Sequence, residues 1–118
     1  MRINHASDLL DPGESAIVVF TRNRHLVRIN ADGSGTSGNW HTNPDHHDIP
    51  DKLIIYNRSS SVPQQNEVYV ASYLHAVGSG SPGRVIIHFQ DARHAGTTSR
   101  SWYDFADAGT NPVRYLSK

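Results

Sequence analysis

Six imidazoles and carboxylates fall within eleven residues of the chain: His41, Asp45, His46, His47, Asp48 and Asp51. Side chains of these types are the ones that hold Zn, Ni, Mn or Fe. Their spacing matches no established signature. His41 and His46 are five residues apart with Pro44 between them, so no helical face presents both, and the chain has neither an H-E-x-x-H motif nor any cysteine. A metal-dependent enzyme or metal-binding protein built on His41, His46 and His47 is therefore an alternative reading. The pattern favours a solvated loop.

Other chemistry is thinner. Eight histidines and eleven acidic residues offer many acid–base pairs, but numbers alone select none. His75 and His88 fall on neighbouring predicted strands, where they face each other across a sheet or simply cover one face of it. No G-x-S-x-G elbow marks a nucleophile. Gly33, Gly35 and Gly38 match G-x-G-x-x-G, yet a polar irregular stretch follows them where a phosphate-binding helix is required. The remaining cue is arginine interleaved with aromatic residues. Tyr56 is followed by Arg58, and Arg93, Arg100, Trp102, Tyr103, Arg114 and Tyr115 gather in the last quarter of the chain. Aromatic platforms beside guanidinium groups hold single-stranded or flipped bases.

These side chains must be positioned by a sheet. Three consecutive segments, 52–57 (KLIIYN), 66–77 (NEVYVASYLHAV) and 83–90 (GRVIIHFQ), are rich in β-branched and aromatic residues and bounded by Asn, Ser, Pro or Gly. In 66–77, Val68, Val70, Leu74 and Ala76 share one face, and Tyr69, Ala71, Tyr73, His75 and Val77 the other. A strand this long and apolar on both faces bends to serve two layers. The run 16–20 (AIVVF) reads as a fully buried strand, forming a hairpin with 24–30 (RHLVRIN). A glycine-rich segment, 31–38, opens a long irregular stretch to residue 51. Trp40 in that stretch either pins the loop to the core or lines a binding site. Residues 91–98 read as a polar link. A short helix is expected near 99–108, with Ser101 and Asp104 as a capping box and Trp102 and Phe105 as its apolar stripe. Residues 113–116 read as a closing strand, and a helical turn opens near Ser7 or Asp8.

The fold expected is mainly β with an α+β character. It is a small, mostly antiparallel β-barrel of five to six strands with one or two short helices, occupying residues 1–118 as a single domain. The 118-residue length suffices for a core, although apolar residues make up only 36%. Eleven basic residues balance eleven acidic ones, which argues against a strongly basic, nonspecific nucleic-acid binder. Nine of the eleven cations are arginine, the better side chain for bidentate contacts. No apolar run reaches the length of a membrane span and no leader is visible near Met1, so a cytoplasmic location is expected and no membrane partner.

Trp40–Pro44 (WHTNP), followed by residues 51–57 (DKLIIYN) and the strand 66–77, resembles the corresponding stretch of PUA-like barrels, among them the EVE and ASCH domains. The resemblance covers roughly residues 40–90. It departs from that pattern in the hairpin preceding Trp40 and in lacking a basic surface. It implies a non-catalytic module with a pocket at one end of a barrel, binding RNA or DNA, a modified base or a nucleotide-like ligand, with no cofactor. By position the resemblance puts Trp40, His41, Asn43, Tyr56 and Arg58 in the pocket, with Arg100 and Trp102 closing it. A third reading is a protein-interaction or homo-oligomerising domain that uses an apolar strand face or the edge at 113–116.

Overall fold

The computed structural model describes residues 1–42, 49–58 and 65–118. In chain order these contain a 3-10 turn (Ala6–Leu9), β1 (Ser15–Arg22), β2 (Val27–Ile29), β3 (Gly35–His41), β4 (Lys52–Arg58), β5 (Asn66–Gly78), β6 (Arg84–Thr98), the helix α1 (Trp102–Ala106) and β7 (Val113–Ser117). Among the described residues no helix is long and apolar enough to cross a membrane.

The apolar run of β1 is buried on both faces, as a continuous hydrophobic strand requires. It lies parallel to β4, from Ala16 opposite Lys52 to Arg22 opposite Arg58. On its other edge it is antiparallel to β7. Both edges of β1 are thus taken, and β2 cannot form the expected hairpin with it. Asn23, Arg24 and Leu26 adopt left-handed backbone conformations and turn the chain away, so that β2 pairs with β3 instead.

The strands form one sheet in the order β2-β3-β6-β5-β4-β1-β7. This corrects the expected architecture. The sheet has seven strands rather than five or six, it is mixed because of the parallel β1–β4 pair, and it is open, with β2 and β7 at its edges. The expectation missed β3, which lies in the glycine-rich segment. Those glycines make room rather than break the strand: a Cβ at Gly35 would lie 2.7 Å from Cζ of Phe89 and would collide with the Arg28 carbonyl. The supposed polar link 91–98 is the second half of β6, paired with the first half of β5.

β5 and β6 bend, as the two-faced pattern of β5 requires, with register shifts at three places along their ladder. One face of the central strands packs Val18, Ile54, Tyr56 and Val68 against Ile3, Ala6 and Leu10 of the N-terminal segment and Phe105 and Ala106 of α1. The other face packs Ile17, Val19, Leu53 and Ile55 against Ile87 and Phe89 of the curled-over β6. Ser101 caps α1 by accepting from the Asp104 amide at 3.2 Å, as the capping box predicts. The helix is shorter than 99–108 because Asp107, at φ 54°, ends it in a left-handed C-cap.

Candidate functional site

β1 outruns its neighbour. Its pairing with β7 ends at Val19 opposite Val113, with one further bond from the Phe20 amide to the Pro112 carbonyl at 2.9 Å. Beyond that point the end of β1 and the turn after it face the irregular part of β3, where the register shifts between Gly38 and Trp40. The space between is a cleft of about 630 Å³. Trp40 forms one wall, half-buried, with its indole N–H donating to Ser37 Oγ at 2.9 Å. Phe20 and Leu26 supply apolar surface, and Leu26 is 56% exposed.

Two guanidinium groups flank this surface. Arg22 lies 5.7 Å from the centroid of the Phe20 ring, and Arg84 donates to the Asn39 carbonyl at 2.9 Å. His25 adds an imidazole. Asn39 Oδ1 is buried and has no hydrogen-bonding partner among the described residues. A buried acceptor left unpaired costs roughly 1–3 kcal/mol.

The residues expected to share one pocket are divided between the two faces. Trp40 lines this cleft. His41 lies in a second, more polar cleft of about 340 Å³ with Thr42, Asp107 and Tyr115, where Thr42 Oγ1 and the Tyr115 hydroxyl are 3.2 Å apart. Tyr56 is only 2% exposed. It stacks on Phe20 at 5.7 Å, meets Trp102 at 5.7 Å and Phe105 at 5.2 Å, and donates its hydroxyl to the Arg100 carbonyl at 2.7 Å. Burial raises the pKa of that phenol. Trp102 is half-buried and donates to the Asn111 carbonyl at 2.8 Å. Arg58 is exposed at the end of β4, opposite Arg22. Tyr56, Arg100 and Trp102 therefore come together, apart from Trp40, while Phe20 both stacks on Tyr56 and lines the Trp40 cleft. Asn43, His46 and His47 lie outside the described residues. Among those described, no group of three His, Asp or Glu side chains is placed to hold a metal ion.

A polar row across β1, β4 and β5 was not expected from the sequence. Thr21, Asn57 and Glu67 are in register across β1, β4 and β5. Glu67 Oε2 accepts from the Tyr69 hydroxyl at 3.0 Å and from Asn57 Nδ2 at 3.3 Å, and Oε1 lies 3.8 Å from His94 Nε2. The Arg24 amide donates to Asn57 Oδ1 at 2.7 Å, so the turn whose other residues face the cleft is also tied to this row. Burial raises the Tyr69 pKa, and its hydrogen bond to Glu67 and that carboxylate's charge raise it further, against the opposing pull of Arg24. The i, i+2 spacing of Glu67 and Tyr69 was a visible signal. His94 was not, because it fell in a segment that read as a link.

No protein-family model, curated protein or solved structure matches this chain.

Proposed function

We propose that the cleft between the end of β1 and the bulged part of β3 binds a planar anionic ligand of nucleotide type, presented as single-stranded nucleic acid, a modified base turned out of a duplex, or a free nucleotide. The reading assigns binding and no chemistry to the cleft. One observation carries it: an aromatic and aliphatic surface of Trp40, Phe20 and Leu26 lies between two arginines. Bases of any sequence stack on such a surface, and guanidinium groups meet the phosphates. The volume falls within the roughly 300–1,000 Å³ typical of small-molecule sites. A non-catalytic PUA-like reader, the kind the WHTNP segment resembles, belongs to the same proposal, with Trp40 kept in the pocket and Tyr56 moved to its support.

Fluorescence anisotropy with labelled single- and double-stranded oligonucleotides and mononucleotides, over a salt series, tests it. Binding should weaken steeply with salt. Trp40→Ala should reduce affinity at least about tenfold, since stacking contributes roughly 1–3 kcal/mol per base, and, because Trp40 packs against the core, should also lower Tm while leaving the protein folded at the assay temperature. Absence of binding at low salt, or wild-type affinity in a folded Trp40→Ala variant, would overturn the assignment.

A further inference from the structure

The bulge at Leu74 decides where His75 points. Tyr73 pairs with Phe89 and His75 pairs with His88, so β5 uses two residues where β6 uses one. In an unbulged ladder Leu74 would oppose His88, and His75 would oppose Ile87, which is buried in the core beneath the sheet. The extra residue leaves Leu74 43% exposed and turns His75 to the outer face beside His88. Bulges serve to re-aim a side chain in this way.

The two imidazoles stack face to face, with ring centroids 4.7 Å apart and planes 10° from parallel. His75 is exposed and His88 half-buried. Neither ring has a hydrogen-bonding partner or an ion-pair partner among the described residues. Their nitrogen lone pairs are therefore uncommitted, and the sheet holds the two backbones in fixed register. The nitrogen lone pairs lie in the two ring planes, so a shared ion requires the rings to turn out of the stack, which the soft Cβ–Cγ torsion of histidine permits.

We infer that His75 and His88 form a two-histidine site for a divalent transition-metal ion on the outer face of the sheet. Each ring supplies one nitrogen, and the remaining coordination positions are open to water or an external ligand. Imidazole suits Cu2+, Ni2+ and Zn2+, and the general affinity order for such nitrogen sites places Cu2+ first. The site is independent of the cleft and does not depend on how the cleft functions. It shares no residue with the His41, His46 and His47 alternative.

The test is calorimetric titration of Cu2+ into the full chain without an affinity tag, alongside His75→Asn, His88→Asn and the double variant His46→Asn/His47→Asn. Pulsed EPR counts the imidazole nitrogens on the bound ion. Each of the two strand variants should lose about tenfold or more in affinity at the tightest site, and the double variant should keep that site. EPR should report two imidazoles in the wild type and one in each strand variant. Because the ion ties β5 to β6 in the folded state only, Cu2+ should raise Tm in the wild type and not in the strand variants. Wild-type affinity in His75→Asn and His88→Asn, or loss of the tight site in the double variant alone, would overturn the inference.

Discussion

Phe20 stacks on Tyr56, with ring centroids 5.7 Å apart and planes 23° from parallel, while it also lines the Trp40 cleft. The candidate ligand surface is therefore continuous with the aromatic packing that seats α1 on the sheet. Tyr56 is held from three sides by Phe20, Trp102 and Phe105, and its hydroxyl is anchored to the chain entering α1. A rigid support of this kind keeps a binding wall in place without a ligand, which lowers the ordering cost of binding.

Tyr56→Phe keeps the ring and removes its hydroxyl, leaving the Arg100 carbonyl and the Asn66 amide without that partner. The expected loss is about 1–2 kcal/mol in urea unfolding, with m unchanged. Phe20→Ala removes a half-buried ring and should cost about 2 kcal/mol and also weaken ligand binding. If Phe20→Ala lowered stability but left ligand affinity as it was, the cleft would not include this wall.

Two glycines separate space from strand propensity. Gly35→Ala drives a methyl group against the Phe89 ring and the Arg28 carbonyl, and should destabilise by about 2 kcal/mol or more. Gly78→Ala meets nothing within 4 Å and has an ordinary backbone angle, so it should be neutral or slightly stabilising. Thermal unfolding of the two variants compares them directly. Equal Tm values would contradict the packing of Phe89 over β3.

Tyr56, Tyr69 and Tyr73 all have pKa values raised, in each case chiefly by burial. A phenol whose folded-state pKa exceeds its unfolded value contributes stability that is fully present below the unfolded pKa. That contribution is lost as pH rises through the folded one. Stability should therefore fall as pH climbs above about 10. Ultraviolet titration of the five tyrosines should show a late-ionising set. Glu67→Gln should bring Tyr69 down toward its ordinary value, because it removes the carboxylate charge and weakens the acceptor. An unchanged titration curve in that variant would dissociate Tyr69 from Glu67.

Among the described residues the Arg84 guanidinium meets a backbone carbonyl and no carboxylate, so a phosphate in the cleft could pair with it. Arg84→Ala should weaken oligonucleotide binding uniformly across sequences and reduce the slope of log affinity against log salt by about 1. A change confined to some sequences, at constant slope, would point to base contact instead.

Local pattern in the sequence was enough to locate β1, β4, β5, the first half of β6, α1 with its Ser101 cap, and β7. In each, a run of β-branched residues or a capping box states its own preference, whatever surrounds it. It was also enough to bring His75 and His88 to adjacent strands. What it misread depends on partners distant in the chain. Whether β1 pairs with β2 or with β4 is settled by which strand fills its edge, and a parallel pairing across about thirty residues leaves no local signature. β3 is held by its ladders to β2 and β6, with Phe89 and Ile86 packed against its glycines, an arrangement invisible where glycine reads as a breaker. The site divided for the same reason. Alternation assigns side chains to faces, but only the curl of the sheet decides which faces meet, placing Trp40 in a cleft with Phe20 and Arg22 and burying Tyr56 beneath Trp102.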